Sequence, residues 1–217
     1  MKQLTNYQRV SQYLVKVFKA INESYFRSEL EIPTITIQSS TGNYGHVSVQ
    51  KVWHNRERQT RELNISADYL DRPIENVVAT LIHEASHLWA LQNHIQDTSN
   101  RGVYHNKKFK AIAEGMGHLK VERHLKYGWT VTLPTEDTLD FVIENGFQDI
   151  QLVRQPEWQW NGKAQGEPDG ASAKSPVRKP SSTRKYICPC CGNSFQATKD
   201  IRVLCLDCNV PFEKEER

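Results

Sequence analysis

The chain has 217 residues, 38% of them hydrophobic and 24% charged, with 28 Lys and Arg against 25 Asp and Glu, the profile of an ordinary globular chain of one or two domains. No apolar run approaches the roughly 18 residues that a membrane span requires, so neither a membrane protein nor a membrane partner is expected. The opening MKQLTNYQRVSQYLVKVF lacks the unbroken apolar stretch of a secretory signal, which makes the cytoplasm the expected location.

Tyr7, Val10, Leu14, Val17 and Ile21 recur at spacings of three and four, which predicts a first helix with these residues inward. Residues 32–38, 44–53 and 61–66 are β-branched or alternating and read as three short, antiparallel strands. Asp71 and Pro73 look like a helix start, with Asp as cap and Pro in the first turn, ahead of the unbroken run IENVVATLIHEASHLWAL. After the loop NHIQDTSNRG, a helix is expected from about Asn106, with Phe109, Ile112 and Ala113 on one face, ending at Gly115 or Gly117. Residues 135–145 suggest another. The expected class is α+β, with helices packed on a small, mainly antiparallel three-stranded sheet.

Residues 162–185 are rich in Gly, Ser, Pro and Lys with little to bury, which is the composition of a flexible linker. The domains expected are therefore 1–161, this linker, and 186–217. Residues 163–185 hold six Lys or Arg against Glu167 and Asp169, while the rest of the chain is close to neutral, so the basic bias is placed in the linker.

His83, Glu84 and His87 form His-Glu-x-x-His within the central helical run. A four-residue step returns to nearly the same helix face, so both imidazoles can reach one Zn²⁺, with Glu84 beside it. Such a carboxylate can take a proton from a zinc-activated water and hand it to a leaving amine, the chemistry of peptide hydrolysis. A surface helix with two spare histidines is the bland alternative, set against the flanking Val77, Val78, Leu81, Ile82, Leu88 and Trp89.

The third ligand must come from elsewhere. His94, seven residues past His87, lies about 10 Å along the helix axis. The metzincin positions are occupied by Ala90 and Asn93. His105, closing the loop and opening the next helix, is the favoured ligand, with Glu114 as its rival. His46, His54, His118 and His124 are expected to be packing or surface residues.

All five cysteines lie between Cys188 and Cys208, the distribution of one local site rather than a disulfide framework. Cys188-x-x-Cys191 and Cys205-x-x-Cys208 supply four thiolates for a closed, structural zinc site, a zinc ribbon, and Cys190 is a spare thiol. Lys174, Arg178, Lys179, Arg184 and Lys185 could meet nucleic-acid phosphates, with Tyr186 or Phe195 as stacking rings, although a charge run is usually a solvated tether.

The segments TLIHEASHLW, YHNKKF and ELNIS, with the Cys-rich terminus, resemble the SprT-like zinc metallopeptidases, relatives of the Spartan proteases. YGH at residues 44–46 and KYGWT at residues 126–130 are similar to segments of the shorter bacterial and mobile-element members. The resemblance implies a zincin-like protease domain with His83, His87 and His105 on a catalytic zinc and Glu84 as base. It also implies a protein substrate and DNA-dependent proteolysis, in eukaryotic members directed at proteins crosslinked to DNA. The chain has Tyr104-His105-Asn106 where better-known members have a Gly-His-Gly type environment. The competing expectation is a non-catalytic nucleic-acid- or protein-binding module whose zinc only ties helices together.

Overall fold

The computed structural model describes residues 3–40, 42–155, 184–197 and 199–215. Lys174, Arg178 and Lys179, with the rest of the linker before Arg184, lie outside the described residues. The chain divides into two units, Met1–Gly162 and Lys163–Arg217.

Helix α1 (Tyr7–Phe26) starts at Asn6, whose side chain accepts the Arg9 N–H, and stops at Arg27 in left-handed backbone. Val10, Leu14, Val17, Phe18 and Ile21 are fully buried along one stripe. Tyr7, expected inward, is 55% exposed, because it is the first helical residue and projects beyond the core.

Strands β1 (Thr34–Gln38), β2 (Gly45–Val47), β3 (Trp53–His54), β4 (Gln59–Thr60) and β5 (Glu62–Ser66) follow. The main sheet has the order β1-β5-β2, with β1 and β5 parallel and β2 and β5 antiparallel. The parallel β1–β5 pair corrects the antiparallel expectation, which the β2–β5 pair meets. The β3–β4 hairpin and β2 lie between β1 and β5 in the chain, and this long excursion brings the chain back alongside β1 in the same direction.

Helix α2 (Ile74–Gln92) carries the motif and is buried nearly all round, from Val77 through Leu88. An apolar helix of this kind needs packing partners on several sides; α2 has them in β2, β5, α1, α3 (Lys107–Gly115) and α4 (Glu136–Glu144). Its cap differs from expectation. Pro73, not Asp71, is the N-cap residue, and the Ile74 N–H donates to Asp149 Oδ1 at 2.8 Å, so the capping carboxylate comes from a distant part of the chain.

A second sheet, order β6-β7-β9-β8, is formed by β6 (Thr98–Ser99), β7 (Tyr104–His105), β8 (Lys120–His124) and β9 (Gly128–Leu133). Helix α3 packs on it through Phe109 and Ala113, which meet Val121 and Trp129. This hairpin was not foreseen; His105 does stand just before the N-cap Asn106 of α3, as expected, but it also ends strand β7. Among the described residues no helix is long and apolar enough to cross a membrane.

In the second unit, β10 (Arg184–Ile187) pairs antiparallel with β11 (Ser194–Ala197) and β14 (Glu213–Lys214), and β12 (Leu204–Cys205) pairs with β13 (Val210–Pro211). Tyr186 and Phe195 stack at 5.2 Å and Phe212 meets Phe195 edge-on. These three rings form an aromatic cluster in this short unit.

Candidate functional site

One helical turn separates His83 from His87 on α2, and β7 brings His105 opposite them. His87 Nε2 lies 3.2 Å from His83 Nε2 and 3.0 Å from His105 Nε2. A tetrahedral ion with Zn–N bonds of 2.0–2.1 Å needs nitrogens about 3.3 Å apart, so the spacing fits.

Protonation fits as well. His87 Nδ1–H donates to the buried Asp97 Oδ2 at 2.5 Å, since a carboxylate can only accept, and a neutral His87 in this tautomer turns its Nε2 lone pair toward the other two rings. His83 Nδ1 meets the Thr132 hydroxyl at 3.1 Å. Burial, followed by the neighbouring imidazoles, pushes the pKa of His83 well below its ordinary value. The same two influences, burial first and then His87, bring His105 down to about 4. Neutral imidazoles with converging lone pairs repel one another unless a cation lies between them, so these three residues can hold a metal ion.

Phe109 is the floor beneath them. Its ring centroid lies 4.6 Å from His83, 4.5 Å from His87 and 4.7 Å from His105, and the residue is fully buried. Glu84, next to His83 on α2, is only 4% exposed. Burial raises its carboxyl to about 7, with His87 acting to lower it and Asp97 to raise it. Glu114, the rival ligand, pairs with Lys110 and is not in the cluster. His94 lies beyond the end of α2 in left-handed backbone and is likewise outside it.

Two segments that carried only the resemblance acquire physical roles. A Cβ on Gly45 would stand 2.8 Å from the Asn64 carbonyl oxygen and 3.2 Å from Glu84 Oε1, so only glycine lets β2 lie directly against the motif carboxylate. A Cβ on Gly128 would lie 2.1 Å from the His105 carbonyl oxygen, and its φ is +72°. This glycine permits β9 to pair with β7 at His105 itself. Asp97, Thr132 and Phe109 are the other contributors that the motif did not disclose. For Asp97 the available signal was an acidic residue in the loop between the motif and His105.

In the second unit, Cys188, Cys191, Cys205 and Cys208 form a second cluster able to hold a metal ion. Cys191 Sγ and Cys205 Sγ are 3.7 Å apart, against about 3.8 Å for tetrahedral Zn–S bonds of 2.3 Å. The Cys191 backbone N–H, with that of Cys190, lowers the Cys188 thiol to about 7 against the effect of burial, which favours the ligating thiolate. Cys190 is exposed and outside the cluster. Arg184 and Lys185, proposed for phosphates, pair with Asp200 at 3.0 Å and Glu215 at 3.1 Å.

None of the curated proteins and none of the solved structures matches the chain. Residues 14–130, more than half of the chain and including the three-histidine cluster and Glu84, match the profile of the SprT-like family. The protein therefore belongs to the SprT-like family.

Proposed function

We propose that this chain is a zinc-dependent endopeptidase of zincin-like type that acts on proteins associated with DNA, including proteins crosslinked to it. One Zn²⁺ would be catalytic, at His83, His87 and His105, and one structural, at the four cysteines of a zinc ribbon. The observation that carries the reading is the buried Glu84 beside three converging imidazoles, since a purely structural three-histidine site has no use for that carboxylate.

Zinc held by His83, His87 and His105 would supply Lewis acidity toward a peptide carbonyl and a water. The chain's own residues do the rest. A cation on the imidazoles favours the ionised form of Glu84, and the carboxylate then takes the water proton as the oxygen adds to the carbonyl carbon. Glu84 returns the proton to the amide nitrogen as the C–N bond breaks, so one water is consumed and Glu84 is regenerated. Asp97 would hold His87 in the ligating tautomer, and the Thr132 hydroxyl would orient the His83 ring.

The test is cleavage of an unfolded protein, free or bound to single-stranded DNA, by the zinc-loaded chain. Glu84→Gln should lower the rate by about 10²- to 10⁴-fold with zinc content unchanged. Equal cleavage by both forms would remove Glu84 from the chemistry. Absence of cleavage under every condition would favour the non-catalytic module, and cleavage indifferent to DNA would remove the nucleic-acid setting.

A further inference from the structure

Charge in the first unit is unevenly placed. Residues 1–97 contain ten Lys or Arg and ten Asp or Glu, and residues 129–162 contain Arg154 against six acidic groups. Residues 98–128 hold seven Lys or Arg against Glu114 and Glu122, a surplus of five. The near-neutral total conceals this local excess.

In the folded chain Lys110 pairs with Glu114 and Lys120 with Glu122. Arg101, Lys107, Lys108, Arg123 and Lys126 are exposed and have no acidic partner among the described residues. All five lie within four residues of one rung of the second sheet. His105 on β7 pairs with Gly128 on β9, which pairs with His124 on β8. Arg101 lies in the loop leading into β7, while Lys107 and Lys108 open α3 just after His105. Arg123 precedes His124, and Lys126 sits in the turn into Gly128. Because β7 and β9 run parallel, the loop at 100–103 and the turn at 125–127 lie at the same end of the sheet.

We propose that this face, carried by Arg101, Lys107, Lys108, Arg123 and Lys126 around His105, binds the phosphate backbone of single-stranded nucleic acid. Five cations without an acidic partner, with Lys126 lying over the Tyr127 ring at 5.2 Å, repel one another around this rung, and a polyanion relieves that repulsion while releasing its own counterions. The turn also presents the stacked pair His124 and Tyr127, at 4.8 Å, and Leu125, which is 95% exposed. Aromatic and apolar groups beside a basic track suit unstacked bases. Arg184 and Lys185 of the second unit, by contrast, are already engaged by Asp200 and Glu215. The choice of polymer rests on the DNA-associated function proposed above, but binding requires no catalysis, so the two ideas can fail separately.

The experiment is fluorescence anisotropy of a labelled single-stranded oligonucleotide with the full zinc-loaded chain, titrated between about 50 and 200 mM salt. Arg123→Glu with Lys126→Glu should weaken binding at least about tenfold at the lower salt and reduce the log–log salt slope by about 1.4. Lys107→Glu with Lys108→Glu should do the same, and Arg184→Glu with Lys185→Glu should leave the slope unchanged. Native zinc content in each variant certifies its fold. Unaltered binding in both first-unit variants, or no binding by the native chain, overturns the proposal. So does displacement of the oligonucleotide by polyglutamate more readily than by unlabelled DNA, which would assign the face to an acidic protein. Binding with these dependences but without any proteolysis would leave the face standing and remove only the peptidase.

Discussion

Glu84 is subject to burial against the sheet and, in the proposed active centre, to the opposing demand of ionisation beside a metal, and the metal-free chain exposes the conflict. Without a cation its carboxyl is held up to about 7 from an ordinary value of 4.5, so folding favours the protonated form. That contribution is complete below pH 4.5 and is lost as pH rises through 7, because above that point folding must retain an ionised buried carboxylate. After chelation, Glu84→Gln should therefore be more stable than the native chain at pH 8, by on the order of 2–3 kcal/mol, and nearly equal to it at pH 5. Urea unfolding followed by tryptophan fluorescence measures this, since all five tryptophans precede residue 162. Equal stability of the two forms at pH 8 would mean that Glu84 is solvated. At this scale the motif was legible because three of its residues lie within one helical turn. Asp97 was not, because its contact with His87 depends on strand pairing that brings the loop back to α2.

At the scale of elements, the helices were readable and the sheets were only partly so. Val10, Leu14, Val17 and Ile21 keep a 3.6-residue period over a long segment, whereas β6 and β7 have two residues each and can show no period. The parallel pairing of β1 with β5 depends on how the intervening chain is routed, which alternation within a strand does not encode. Nor does alternation reveal that Asp149 caps α2. The β8–β9 hairpin makes a sharp prediction at Gly128. Alanine there would place a methyl group 2.1 Å from the His105 carbonyl oxygen at a φ of +72°, in backbone that L residues rarely adopt. Gly128→Ala should separate β9 from β7, cost several kcal/mol in stability, and release metal from the three-histidine site while the four-cysteine site keeps its own. Zinc analysis with thermal unfolding reads both effects, and a variant with native zinc and native Tm would show that the β7–β9 rung does not hold His105.

For the whole molecule, the two clusters able to hold a metal ion lie in separate units, and the packing in each unit predicts a different energetic role for its metal. The first unit surrounds its site with a broad apolar core that includes Phe18, Phe26, Leu63, Leu81 and Ile82. Losing a metal from this proposed active centre should therefore leave the unit folded. The second unit buries few large side chains, chiefly Tyr186 among the described residues, so metal binding must supply most of its folding free energy. The native chain should accordingly contain about two zinc ions, with His105→Ala and Cys205→Ser each retaining about one. The stability consequences should differ: His105→Ala should keep the cooperative tryptophan unfolding of the first unit, while Cys205→Ser should remove the amide-exchange protection of β10 and β11 and leave the first unit's transition in place. Loss of both zinc ions in Cys205→Ser would mean that the units fold as one. Full zinc retention in His105→Ala would mean that His83 and His87 complete their site with another ligand, and the third corner of the proposed active centre would have to be reassigned.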